Sequence, residues 1–168
     1  PKLTTPTVPN MFHVTYTGVY SGRAMARFAL SKPNTKKVVL VAHTNDWAKG
    51  YCDPATEFMK EQGVEPLMNL ALERGSTDAT AQSLRIKTAN ADFVLGCLYE
   101  AELAILLRDL HKYGAPVPVI GALGADFEST HKRVNNPAAV KNFYLPYQFK
   151  APMGSPDMKK WEEMFVKH

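Results

Sequence analysis

Five histidines, two cysteines and sixteen acidic residues could in principle carry chemistry in this 168-residue chain. Their spacing argues against most of it. His13, His43, His111, His131 and His168 show none of the short intervals by which neighbouring histidines share a metal. Cys52 and Cys97 lack CxxC spacing and nearby partners, and are expected to be free thiols. No GxSxG or P-loop is present, and no serine stands with a histidine and an acid in a recognisable arrangement. The loop after the first apolar run, AHTNDWAKG, lacks the glycines that bring backbone close to a pyrophosphate. What remains is aromatic. Trp47 and Tyr99 each follow an apolar run, where a ring offers a flat wall or a cation–π face to a ligand, or else packs on the adjacent helix. Asp78 and Asp126 read more simply as helix caps.

The elements that must position these residues alternate regularly. Val38–Ala42 is a β-branched run of the kind buried on both sheet faces. A polar loop from His43 to Asp53 follows, and a helix is predicted from Pro54 to Gln62, with Asp53 as its cap and Gly63 ending it. Val64–Leu72 is the next strand, limited at one end by Pro66. A helix capped by Thr77 or Asp78 runs to Thr88. Asp92–Gly96 is a third strand, and Glu100–Tyr113 a helix whose Leu103, Leu106, Leu107 and Leu110 share a face. Val117–Gly121 is a fourth strand and Val140–Tyr147 a fifth.

Before the first of these strands, Gly18–Leu30 reads as a helix stopped by Ser31-Lys32-Pro33, and Met11–Val14 as a short strand. Residues 1–9 carry three prolines and read as an extended crossing segment. Pro156–Val166 is the last amphipathic helix. Such alternation implies an α/β fold: a three-layer sandwich with a mostly parallel, Rossmann-like sheet between helices. Ligands then bind beyond the carboxyl ends of the strands, at the loops His43–Asp53, Cys97–Glu100 and Ala122–Asp126.

Composition excludes other classes. A formal charge of +4 is spread along the chain, its densest pairs being Lys36-Lys37 and Lys159-Lys160, so no nucleic-acid partner is expected. No apolar run reaches the roughly 18–20 residues of a membrane span, so no direct membrane insertion is expected.

Three segments carry a resemblance: KKVVLVAHTNDWAKG (36–50), GSTDATAQSLRIKTANADF (75–93) and LLRDLHKYGAPVPVIG (106–121). Their order and spacing resemble the type I periplasmic solute-binding proteins, the receptors of branched-chain amino acid (Leu/Ile/Val) ABC transporters. The similarity extends from Phe12 to Phe165. It implies one lobe of a two-lobed, hinged receptor: residues 1–11 the crossing segment, 12–147 the lobe core, 148–168 the return segment and C-terminal helix. It looks like the second lobe alone, its partners being a small-molecule ligand, the first lobe of the same protein and an ABC permease, in the periplasm, with no cofactor and no catalysis. Carried over by position, the ligand-binding residues are His43, Trp47, Tyr99, Ala122 and Leu123.

Leu123 falls where amino-acid binders of the family carry an acid for the ligand ammonium, and His43 replaces a frequent aspartate. A buried ammonium without a carboxylate is costly. The ligand implied is therefore a small carboxylate, aromatic acid or amide rather than a typical amino acid. Glu100 is the other acid within reach, or simply a solvated helix start. A ligand-sensing regulatory domain of the same fold, or a small α/β enzyme, are the alternatives.

Overall fold

The computed structural model describes residues 17–146 and, further on, 156, 159, 160, 163 and 164. Five parallel strands form one sheet in the order β2-β1-β3-β4-β5: β1 (Val38–Ala42), β2 (Met68–Ala71), β3 (Phe93–Cys97), β4 (Val119–Gly121) and β5 (Phe143–Tyr144). Five helices connect them: α1 (Gly18–Leu30), α2 (Asp46–Glu61), α3 (Thr80–Thr88), α4 (Glu100–Lys112) and α5 (Phe127–Val134). The predicted α/β sandwich is what forms.

Alternation along the strands divides the core in two. Val38 and Leu40 of β1, with Phe93 and Leu95 of β3, face α1 and α2 and meet Met25, Ala29, Phe58 and Met59. Val39, Val41 and Val94 face the other way, into a second cluster with Ile86 and the Leu103, Leu106, Leu107 and Leu110 stripe of α4. Both faces of β1 and β3 are thus covered, as their unbroken apolar runs require.

Several boundaries differ from expectation, and proline explains some of them. Pro66 has no N–H, and β2 begins only at Met68. Likewise β4 begins after Pro118, at Val119. The fifth strand is confined to Phe143–Tyr144. The third helix starts at Thr80, later than expected: Ala79 N–H donates to Asp109 Oδ2 at 2.6 Å and Thr80 N–H to Asp78 Oδ1 at 3.1 Å, so two carboxylates hold the turn before it. Asp126 caps α5 as expected, accepting from Ser129 N–H. The expected strand Met11–Val14 lies outside the described residues. The described positions of the expected last helix are helical.

The largest correction concerns α2. It begins at Asp46, not Pro54, because the Asn45 side chain accepts from Ala48 N–H and caps it eight residues earlier than Asp53 would. Pro54 is therefore interior, and Gly50, four residues before it, has a carbonyl with no helical N–H to accept. That carbonyl lies against α1. A Cβ placed on Gly18 would sit 2.5 Å from Gly50 O, and one on Gly22 would overlap the Tyr51 carbonyl oxygen. The two glycines of α1, one turn apart, let the helix backbones approach closely at the freed Gly50 oxygen and at the neighbouring Tyr51 carbonyl.

The expected free thiols are also corrected. Cys52 of α2 and Cys97 at the end of β3 form a disulfide with Cα atoms 6.3 Å apart. β3 lies directly under α2, which no local spacing reveals. On the chain-entropy account, closing a loop of 45 residues' separation contributes about 4 kcal/mol.

Candidate functional site

The chain runs from β1 out to β2, then returns past β1 to β3, so the strand order reverses between β1 and β3. Loops leaving those two strands diverge to opposite faces there and open a crevice. Trp47 enters it from the first turn of α2, and Tyr99 from the position before α4. The two rings stack, with centroids 4.5 Å apart and planes 27° from parallel. Tyr51, one turn along α2, packs on the outer side of Trp47 at 4.9 Å. Burial pushes the Tyr51 hydroxyl pKa up, and the Trp47 indole N–H opposes that shift.

His43 lies beneath Tyr99, ring centroids 4.9 Å apart, and is only 4% exposed. Its Nδ1 is 2.7 Å from Leu72 O and its Nε2 3.0 Å from Tyr99 N. A carbonyl only accepts and an amide only donates, so Nδ1 carries the proton and Nε2 the lone pair. The side chain of Glu102, also buried, accepts from Gly75 N–H at 2.8 Å and brings its other oxygen to 3.5 Å from His43 Nε2. With that nitrogen already accepting from Tyr99, the approach is not an ion pair in this tautomer. His43 thus ties three loop segments together and leaves neither nitrogen free for a ligand.

The third loop closes the group from the β4 side. Ala125 N–H donates to Ala122 O across a tight turn whose tip is Leu123-Gly124. Ala122 is fully buried in the α1–α2 core, and Leu123 is half-buried at the turn. Gly124 abuts the aromatic pair: a Cβ there would lie 2.6 Å from Trp47 Cζ2 and 3.2 Å from Tyr99 Cδ1. The Gly124→Ala substitution is therefore expected to displace the indole and to cost about 1–2 kcal/mol in urea unfolding. Gly50→Ala, where a Cβ meets nothing within 4 Å, is expected to stabilise by about 0.5–1 kcal/mol in the same assay.

Of the five expected site residues, Trp47, Tyr99 and Leu123 border the crevice, while His43 and Ala122 lie under it. Two further residues went unnoticed in the sequence. Arg74, from the loop after β2, holds its guanidinium carbon 5.4 Å from the Tyr99 ring centroid, and Glu102 lies buried beside His43. Glu102 leaves a faint signal as an acid at a position where the helix turns inward. Arg74 leaves none. Glu100 opens α4 and pairs with Arg133 of α5. No group of three or more His, Cys, Asp and Glu side chains among the described residues is arranged to hold a metal, and no described helix is long and apolar enough to cross a membrane.

Known proteins carry the same architecture. A family model described as periplasmic binding protein matches residues 3–168. The Leu/Ile/Val-binding protein BraC3 of Rhizobium johnstonii is 27% identical over 124 residues, covering 74% of this chain and 34% of its own length. A branched-chain amino acid ABC transporter structure from Thermus thermophilus with bound valine superposes at a TM-score of 0.80 and 19% identity, covering 98% of this chain and 43% of that one. The leucine binding protein LivK of Thermotoga maritima gives 0.79 at 22% identity, covering 98% and 48%. The chain spans about a third of the length of the curated relatives it matches. With its sheet order, crevice and nearly full-length family match, the chain belongs to the periplasmic binding protein family.

Proposed function

We propose that this chain is the second, ligand-binding lobe of an extracytoplasmic receptor for an ABC transporter, and that it binds without catalysing. Its ligand is a small carboxylate, aromatic acid or amide, held against the Trp47–Tyr99 wall while a first lobe closes over it. Ligand then shifts an open–closed equilibrium, and the closed form engages a membrane permease. A disulfide suits the oxidising compartment in which such receptors work.

The observation that carries the ligand class is the stacked pair with the Arg74 guanidinium over its Tyr99 ring. A flat apolar wall beside a cation favours a flat or apolar anion. The carboxylate next to the wall, Glu100, is already paired to Arg133, and Leu123 offers no charge to an ammonium. An α-amino acid would leave its ammonium poorly compensated on this side of the cleft.

One lobe presents part of a pocket, so millimolar affinity is expected, about −4 kcal/mol. The chain has two tryptophans, and in a Trp161→Phe background the remaining indole N–H resonance reports Trp47 alone. Phenylacetate and benzamide should shift that resonance at low millimolar concentration, with leucine requiring about tenfold more. Leucine acting at the lowest concentration would overturn the ligand class.

A further inference from the structure

We infer that the Cys52–Cys97 disulfide is a positioning crosslink for the aromatic wall, holding the helix that carries Trp47 against the strand end that leads to Tyr99. Cys97 closes β3 two residues before Tyr99, and Cys52 lies five residues along α2 from Trp47. The covalent bond thus joins the two supports of the stack directly beneath it.

Below the stack, His43 also joins the ends of β1 and β3, donating its backbone N–H to Cys97 O and accepting from Tyr99 N–H, but neither bond holds α2 itself. Within one turn of the crosslink, the other buried side chains of α2 are Ala48, Pro54 and Ala55; the large ones, Phe58 and Met59, come later in the helix, which packs chiefly on α1. Alanine side chains bury little area, so this stretch is weakly held to β3 by apolar contact. The helix is also locally weak here. Gly50 adds backbone freedom, and Pro54 withdraws the hydrogen bond that would lock the Gly50 carbonyl. Cys52 sits between them. A covalent tether at that point fixes a turn that helical hydrogen bonding holds least well.

The crosslink is largely buried, Cys97 fully and Cys52 at 7% exposure, so a reagent must approach it from the Cys52 side. Cys52 lines a groove of about 260 Å³ between α2 and β2, beside Lys49, Asp53 and Thr56. A dithiol entering there attacks one sulfur and displaces the other as a thiolate, which takes up a proton. Its second thiol then closes the dithiol to its own disulfide and releases the remaining cysteine. Two electrons pass to the protein, giving two thiols, and the wall loses its tether.

The test uses the 168-residue chain in the Trp161→Phe background. The Tyr99→Leu variant, oxidised, defines the part of the Trp–Tyr coupling signal in far-ultraviolet circular dichroism that belongs to the stack. Reduction by dithiothreitol should lower that part to about half or less while helix content is retained, and reoxidation should restore it. Should the reduced chain melt, the double variant Cys52→Ala/Cys97→Val supplies a folded form without the crosslink, with the same expected loss. An unchanged stack signal in either folded form overturns the inference. The consequence for binding rests on the proposed ligand wall: phenylacetate should then require about tenfold higher concentration to shift the Trp47 indole resonance. Loss of the stack with an unchanged phenylacetate response would overturn that wall as the ligand contact, and leave the crosslink's positioning role standing.

Discussion

Replacing Phe93 by alanine is expected to destabilise the chain's fold by about 3–5 kcal/mol, seen as a lowered urea midpoint with an unchanged slope. Phe93 begins the central strand β3 and is fully buried. Its ring meets Phe28 of α1 edge-on at 6.2 Å and stacks on Tyr144 of β5 at 6.4 Å, so one side chain joins a helix and two strands. Truncation removes the transfer free energy of the ring and leaves a cavity among α1, β3 and β5. Two walls of that cavity are the rings of Phe28 and Tyr144, whose backbones are fixed in α1 and β5. Since domains of this size are stable by about 5–15 kcal/mol, the loss is a large fraction of the whole. A cost under about 1 kcal/mol would mean that Phe28 and Tyr144 close over the gap.

Gly22→Ala is expected to cost about 2–3 kcal/mol, although alanine is the better helix former by about 1 kcal/mol. The added methyl would overlap the Tyr51 carbonyl oxygen and lie 3.3 Å from Ala55 N, and both obstacles are backbone. No rotamer change relieves them, so α1 must move away from α2 along its length. Gly18→Ala meets the Gly50 carbonyl oxygen in the same way, but in the first turn, where fraying relieves it at lower cost. Urea unfolding of the two variants should therefore rank Gly22 well above Gly18. Equal costs would mean that the helices separate as rigid rods.

Much of this fold was legible in the sequence where the signal is local. The runs at Val38–Ala42 and Asp92–Gly96 announced doubly covered strands, and the leucine stripe ending at Gly114 announced α4. Elsewhere two local signals competed. Asp53-Pro54 and Asn45 are both sound helix starts, and nothing between them indicates which prevails. The glycine face of α1 tips the balance, because it accommodates the carbonyl that an interior Pro54 sets free. That contact spans more than thirty positions of chain and leaves no mark on α2's own pattern. The disulfide was hidden for the same reason, since its partners meet only once β3 lies under α2.

At the crevice, the rule for parallel sheets selected the three loops that meet there but not their occupants' orientations. Trp47 and Tyr99 could each be placed near the crevice from sequence. Their stacking on one another required Gly124 to come in from a third loop without a side chain. Arg74 reaches Tyr99 from a loop beside the edge strand, which the rule passed over. His43, expected as a ligand contact, is instead consumed by the backbone of Leu72 and Tyr99.

The Cys52–Cys97 bond also changes what backbone cleavage means for this molecule. The exposed turn at Glu73–Gly75 contains Arg74, a residue trypsin-like proteases recognise, and it lies inside the loop that the disulfide closes. A cut there separates β1, α2 and β2 from β3 and everything after it. The fragments nonetheless remain one covalent species, with Trp47 on one and Tyr99 on the other. A chain nicked at Arg74 therefore keeps both sides of its crevice attached until the disulfide is also reduced.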